Sequence, residues 1–157
     1  MKGNVAFAST IPINNAKLER QISVFAYIRS LNLWGKTGKV DIILPEVWLT
    51  GQAEVLGQQE NRDVVGFADP MVRLYVNLFG APAMLIKEFA DYKQDTIFGV
   101  SIAVIAPGGQ YDPNKLVNIG TNRWSLKPEI GVSKAWGALT AEGAVGVYVF
   151  TDNTQPF

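Results

Sequence analysis

The sequence contains neither cysteine nor histidine. Without cysteine the chain has no disulfide, no thiolate nucleophile and no thiolate metal site. Without histidine it has no imidazole ligand for zinc or iron and no Ser-His or Cys-His catalytic pair. Its fourteen acidic residues form no recognisable carboxylate or metal motif. We therefore assign no catalytic residue, no metal ligand and no cofactor, and expect that the protein is not an enzyme.

An excess of charge of either sign is also missing, because fourteen basic residues balance fourteen acidic ones. No overall field attracts nucleic acid, so no nucleic-acid partner is expected. Hydrophobic residues make up 48% of the 157 residues, which is enough for an apolar core. We treat residues 1–157 as a single domain.

Long hydrophobic runs are absent as well. No stretch approaches the roughly 20 apolar residues of a membrane-spanning helix. The first fifteen residues lack the apolar run of roughly 7 to 15 residues that a secretory signal requires. A soluble protein fits both observations, and a membrane β-barrel fits the first, because its strands are short and alternate in polarity.

Alternation with a period of two is what the sequence does contain. In residues 71–79, Val72 and Leu74 fall on one face, while Arg73 and Tyr75 fall on the other. This pattern is typical of a half-buried β-strand. The same pattern, or a weaker one with apolar residues on both faces, predicts further strands at 4–9, 22–34, 39–50, 96–106, 124–134 and 139–151.

The predicted connections alternate in length. Short turns at Gly35–Gly38 and Ala135–Ala138 contrast with longer links at 51–66, 80–95 and 107–122. Good helix formers after Pro82 predict a short helix over residues 84–92. Pro128 lacks an N–H group, so we expect a bulge or a local break there. The fold class predicted is all-β, an antiparallel meander of about six to seven strands.

Alternation alone does not decide which solvent meets each face. A soluble β-barrel that binds a small apolar ligand turns its apolar face inward. A membrane β-barrel turns the same face to lipid and lines its lumen with the polar face. Strands of about ten residues, the alternating turn lengths and tryptophans at strand ends favour the membrane barrel. The soluble barrel is the alternative.

If the polar face lines a lumen, we expect six residues on it: Arg73, Tyr75, Lys127, Glu129, Glu142 and Tyr148. A hairpin turn near Trp136 would place Glu142 opposite Gly131. Such charges either tune the passage of solutes or only neutralise one another and fix the strand register. Arg29 and Asp41 are harder to assign, with a preference for the same inner face.

The long link at 107–122 contains Tyr111, Asp112 and Asn114. Asp-Pro with nearby glycine is ordinary turn chemistry. The link is therefore either a fixed surface loop, which we favour, or a loop that gates the lumen and contacts the solute.

Several consecutive segments carry a family resemblance: "IKEFADYKQD", "GQYDP", "NIGTNRWS" and "KPEIGVSK". From about residue 5 onward the chain resembles the outer-membrane transporter family of the meta-pathway of phenol degradation. The resemblance implies a Gram-negative outer-membrane β-barrel in contact with outer-membrane lipid. It also implies passage of hydrophobic or aromatic small molecules.

The chain departs from the family pattern at both ends. Family members begin with a signal peptide and continue with further strands. Six to seven strands fall short of the roughly eight that a closed single-chain barrel needs. We therefore expect a truncated, partial barrel that is either oligomeric or part of a longer chain.

Overall fold

The computed structural model describes residues 2–4, 13–55, 57–89, 91–115 and 117–155. Within these residues the fold is an antiparallel half-barrel, which confirms the all-β prediction. Nine strands and one short helix follow one another: β1 Lys2–Asn4, β2 Ile13–Leu33, β3 Lys36–Val55, β4 Gln58–Phe67, β5 Met71–Phe79, α1 Ile86–Phe89, β6 Thr96–Ile105, β7 Ser125–Trp136, β8 Leu139–Gly146 and β9 Val149–Phe150. The sheet order is β1-β2-β3-β5-β6-β7-β8, with β4 on β3 and β9 on β7.

Strands β2 and β3 form a hairpin of 21 and 20 residues. Its turn is Trp34–Gly35, with φ angles of 55° and 78°. Two positive φ angles produce the tight turn whose twist matches that of the flanking strands. The predicted turn at Gly35–Gly38 was therefore slightly misplaced, because β3 already begins at Lys36.

Strands β4 and β5 lie end to end along the same side of β3. Strand β4 pairs with Glu46–Val55, and β5 pairs with Gly38–Ile43. The prediction of a long loop over residues 51–66 was wrong. The polar sequence of β4 has a low intrinsic preference for a strand, but pairing along β3 satisfies its backbone groups.

Strands β5 to β9 continue the sheet as a meander. On both sides of Pro128 the register between β7 and its partner is the same, with Glu129 opposite Gly146 and Leu126 opposite Val149. Since Pro128 donates no hydrogen bond, the partner strand is interrupted between β8 and β9. The predicted break therefore lies in the neighbouring strand, while β7 itself is continuous.

Helix α1 is a single turn, shorter than the predicted helix over residues 84–92. The carboxylate of Glu88 accepts a 2.8 Å hydrogen bond from the backbone N–H of Leu85, which caps this turn. The strand predicted at residues 4–9 lies outside the described residues except for Asn4. Among the described residues no helix is long and apolar enough to cross a membrane.

The two faces of the sheet differ in chemistry and in exposure. On the face that we call outer, Val72, Leu126 and Val147 are 47%, 38% and 60% exposed. On the opposite, inner face, Ser101 and Ala103 are buried. The inner side chains crowd together on the curved sheet, whereas the outer apolar side chains have no protein layer over them within the described residues.

Candidate functional site: the polar inner face

The six residues predicted for the polar wall share one face of the sheet. The register places Arg73 and Lys127 on either side of Ala103, and Tyr75 and Glu129 on either side of Ser101. Because opposite residues of paired strands share a face, all of these point to the same side. The remaining two join them: Glu142 is opposite Ser133, and the ring of Tyr148 lies under the ammonium group of Lys127.

Asp41 is the most deeply buried charged group on this face, with its side chain only 2% exposed. Its Oδ2 accepts hydrogen bonds from Nε and Nη2 of Arg73, at 3.1 and 2.7 Å. The Nζ of Lys39 lies 3.4 Å from the same oxygen. The pair links β3 to β5 directly, because Asp41 and Arg73 are opposite each other in the register.

Lys127 and Glu129 form a second ion pair, 2.6 Å long, along strand β7. They are separated by one residue and therefore project from the same face. The Nζ of Lys127 also lies 5.4 Å from the ring centre of Tyr148, in a cation–π arrangement. The ammonium group thus holds β7 and the β8–β9 strand together on the polar side.

A third set of contacts runs through Ser133. Gln94 donates a 2.8 Å hydrogen bond to Ser133 Oγ, and Ser133 donates one of 3.2 Å to Glu142. Glu142 was predicted opposite Gly131, which was wrong by two residues. The β7–β8 turn contains only Gly137 and Ala138. Glu142 therefore pairs with Ser133, two residues closer to the turn than predicted.

Between these groups the inner face has a depression of about 270 Å³. Its lining includes three residues with hydroxyl groups, Tyr75, Ser101 and Ser133, and two with carboxylates, Glu129 and Glu142. Tyr75 extends over Gly99, where its Cζ lies only 2.6 Å from the position that a Cβ would occupy. Glycine at position 99 therefore lets the phenol ring lie flat along the wall.

From the β3–β5 pair to β8 the charges of the inner face balance. Three positive groups (Lys39, Arg73, Lys127) accompany three negative groups (Asp41, Glu129, Glu142) there. Three further charged residues, Arg20, Glu60 and Arg62, lie on the same face where β2, β3 and β4 pair. Most of the first six are paired at short distance, so the wall offers hydrogen-bond donors and acceptors without a strong field of one sign. Within the described part of the chain no three acidic side chains are grouped so that they could hold a metal ion.

The predicted loop residues lie at one end of the sheet. The backbone N–H of Asn114 and its side-chain amide both donate to Asp112 Oδ1, at 2.9 and 3.3 Å. Asn118 further ties Asp112 through two hydrogen bonds to its backbone. Tyr111 donates from its hydroxyl to the backbone oxygen of Gln155 at 2.6 Å. These contacts fix the conformation of the loop.

Sequence reasoning missed several members of this face. Asp41 lies on the inner face, as predicted. The same prediction was wrong for Arg29, which is opposite Val40 and therefore lies on the outer face. Ser101, Ser133 and Lys39 were not selected. Lys39 and Asp41 alternate with apolar residues, and that signal was available in the sequence. It was obscured because β3 is apolar on both faces from Ile42 to Pro45.

The comparisons with known proteins give one family match. Residues 3–157 match the model of the family described as "Putative MetA-pathway of phenol degradation". No curated protein and no solved structure matches the chain. Since the match covers nearly the whole length, the chain belongs to this family.

Proposed function

We propose that the chain forms the wall of an outer-membrane channel in a Gram-negative bacterium, through which small hydrophobic or aromatic molecules pass. Its outer face would contact lipid, and its inner face would line the lumen. Arg73, Tyr75, Lys127, Glu129, Glu142 and Tyr148 would be the lining residues. The family name supports an association with phenol degradation.

The exposed apolar face carries this proposal. Large apolar side chains follow one another across β5, β6 and β7, including Val72, Leu74, Ile102, Ile130 and Val132, each 39 to 49% exposed. Soluble proteins rarely expose a contiguous apolar patch of more than a few hundred Å². Exposure of such a patch to water is unfavourable. In a membrane the lipid hydrocarbon covers the patch, so the apolar side chains do not contact water.

Strand length supports the same conclusion. Strands β5 and β6 contain nine and ten residues. A tilted strand of roughly 9 to 11 residues spans the hydrocarbon core of a bilayer. A soluble β-barrel, the alternative, would instead have to turn Val72 and its neighbours toward an interior, and their exposure opposes that arrangement.

The inner face indicates the kind of solute. Its balanced charges give no reason to concentrate ions of one sign. The hydroxyl and carboxylate groups around the depression can exchange hydrogen bonds with a polar substituent of the solute. An uncharged aromatic molecule with a hydroxyl group therefore fits this wall better than an inorganic ion.

Two measurements test the proposal. The chain is expressed behind a secretory signal peptide in a Gram-negative host, and the cell fractions are separated without detergent; recovery in the outer-membrane fraction is expected. Uptake of radiolabelled phenol is then compared between intact cells with the chain and cells with an empty vector. Faster uptake is expected only with the chain, and spheroplasts that lack the outer membrane should show no difference. Recovery in the soluble fraction, or equal uptake by intact cells, would contradict the proposal.

A further inference from the structure

We infer that residues 106–115 and 117–124, which we call the mouth loop, cover the opening of the lumen and set the size limit for solutes. This inference rests on the channel function proposed above. The proposed channel function concerns the inner face of the strands and gives the mouth loop no role, and the present inference assigns one.

The β2–β3 hairpin extends well beyond the rest of the sheet. Its strands of 21 and 20 residues are about twice as long as β5 and β6. Strand β6 ends at Ile105, opposite Met71, whereas β3 continues with β4 as its partner from Glu46 to Val55. Since about ten residues span the bilayer, the β2–β3–β4 part projects outside it.

The mouth loop packs on the inner face of this projection. Val47 and Leu49 alternate in step with Asp41 along β3, and Val64 is opposite Leu49, so all three lie on the inner face. They are 8%, 6% and 8% exposed, and Val117 and Ile119 of the mouth loop pack against them. An apolar contact therefore draws the loop over the inside of the mouth and not away from it.

Gln110 provides a second contact on the same face. Its backbone N–H donates to the carbonyl of Phe67 at 3.0 Å. Its side chain covers Gly66, which is opposite Val47 on the inner face. A Cβ added at Gly66 would lie 3.5 Å from the Cβ of Gln110. The start of the loop is thus placed directly over the inner surface of β4.

Asp69 anchors the loop to the link between β4 and β5. Its Oδ1 accepts the N–H of Gly109 at 2.9 Å. Its Oδ2 accepts both the N–H and the hydroxyl of Thr121, at 2.8 and 2.7 Å. One carboxylate therefore holds both ends of the mouth loop, and hydrogen bonds to a charged acceptor are the stronger kind.

On its far side the loop reaches the segment that follows β9. The hydroxyl of Tyr111 accepts a 2.9 Å hydrogen bond from Asn153, and Asn122 donates one of 2.9 Å to the same residue. The loop therefore extends from β4 to the segment after β9. That is three strand spacings of about 4.8 Å, or roughly 14 Å of the rim.

The experiment releases the loop and measures which solutes pass. The 157-residue chain and its Asp69→Ala variant are reconstituted in liposomes, and swelling rates are recorded with uncharged sugars from a monosaccharide to a tetrasaccharide. The variant is expected to admit the larger sugars severalfold faster than the wild type, with little change for the monosaccharide. Asp63→Ala is the matched control, because Asp63 lies on β4 opposite Thr50, on the outer face.

A disulfide then restores the closed loop. Gly66→Cys and Gln110→Cys are added to Asp69→Ala, since the 3.5 Å between the two Cβ positions suits a disulfide and the chain has no other cysteine. The oxidised triple variant should recover the wild-type size limit, and reduction should abolish this recovery. A loop that only stabilised the projecting hairpin would change thermal stability without changing the size limit.

The two proposals fail in different ways. Swelling with the same size limit in the wild type, in Asp69→Ala and in the oxidised and reduced triple variant would overturn the role of the mouth loop alone. No swelling with any sugar in any variant, together with no phenol uptake by intact cells, would refute the channel and the mouth loop together. No swelling with any sugar despite phenol uptake would overturn the mouth loop alone, because releasing the loop would then not have raised the size limit.

Discussion

Asp41 and Arg73 face each other directly across the β3–β5 pair, and one carboxylate oxygen of Asp41 accepts two hydrogen bonds from the guanidinium group. The other oxygen, Oδ1, is buried and has no hydrogen-bond partner among the described residues. A carboxylate whose side chain is only 2% exposed depends strongly on its cation. The pair therefore fixes how β3 and β5 align on the polar side.

Replacing Arg73 should destabilise the protein because it leaves the Asp41 carboxylate buried beside Lys39 alone. For Arg73→Ala we expect the free energy of unfolding to fall by about 3 kcal/mol. Urea unfolding in lipid vesicles, followed by tryptophan fluorescence, measures this change. Lys127→Ala is the control, because Glu129 keeps access to water and the loss should be at most about 1 kcal/mol. Equal losses in both variants would contradict the special role of Asp41.

Single cysteines should distinguish the two faces of β7. Cysteine at position 127 or 129 should react quickly with a water-soluble thiol reagent, because both positions lie on the inner face. Cysteine at position 126 or 130 should react slowly in membranes, because lipid covers the outer face. The native chain contributes no background reaction, since it lacks cysteine. Faster labelling at 126 and 130 would reverse the assignment of the faces.

Charge reversal on the inner face should change ion selectivity in opposite directions. Lys127→Glu adds negative charge to a balanced wall and should favour cations, whereas Glu129→Lys should favour anions. The reversal potential across a planar bilayer with a salt gradient measures both effects. Lys93→Glu, in the link between α1 and β6, should leave the reversal potential unchanged. Shifts of the same sign for Lys127→Glu and Glu129→Lys would exclude a role of these residues in the lumen.

Two glycine substitutions should differ although the chemical change is identical. In Gly99→Ala the new methyl group meets the ring of Tyr75 and, at 3.0 Å, Oδ1 of Asn77. In Gly143→Ala it meets nothing within 4 Å. We expect Gly99→Ala to lower the free energy of unfolding by about 1 to 3 kcal/mol, as overpacking does. Gly143→Ala should change little, and an equal effect at both positions would show that Tyr75 does not lie over Gly99.

The faces of β5, β6 and β7 were predictable because each alternates cleanly between apolar and polar side chains. The fold class followed from this alternation, and so did the shared face of Arg73, Tyr75, Lys127 and Glu129. Strand β4 was not predictable, since "QQENRD" has neither the apolar rhythm nor the residue types of a strand. It forms because the long β3 offers unpaired backbone groups beside it.

The sequence by itself determined which side chains share a face, because the period of a strand is a local property of the backbone. Only the tertiary structure decided which distant residues meet: Asp41 with Arg73 and Glu142 with Ser133 across strands, and Asp69 with Gly109 and Thr121 between links. Those contacts depend on turn length and on pairing between distant segments. A change of two residues in one turn moves every partner along the strand while leaving the alternation intact.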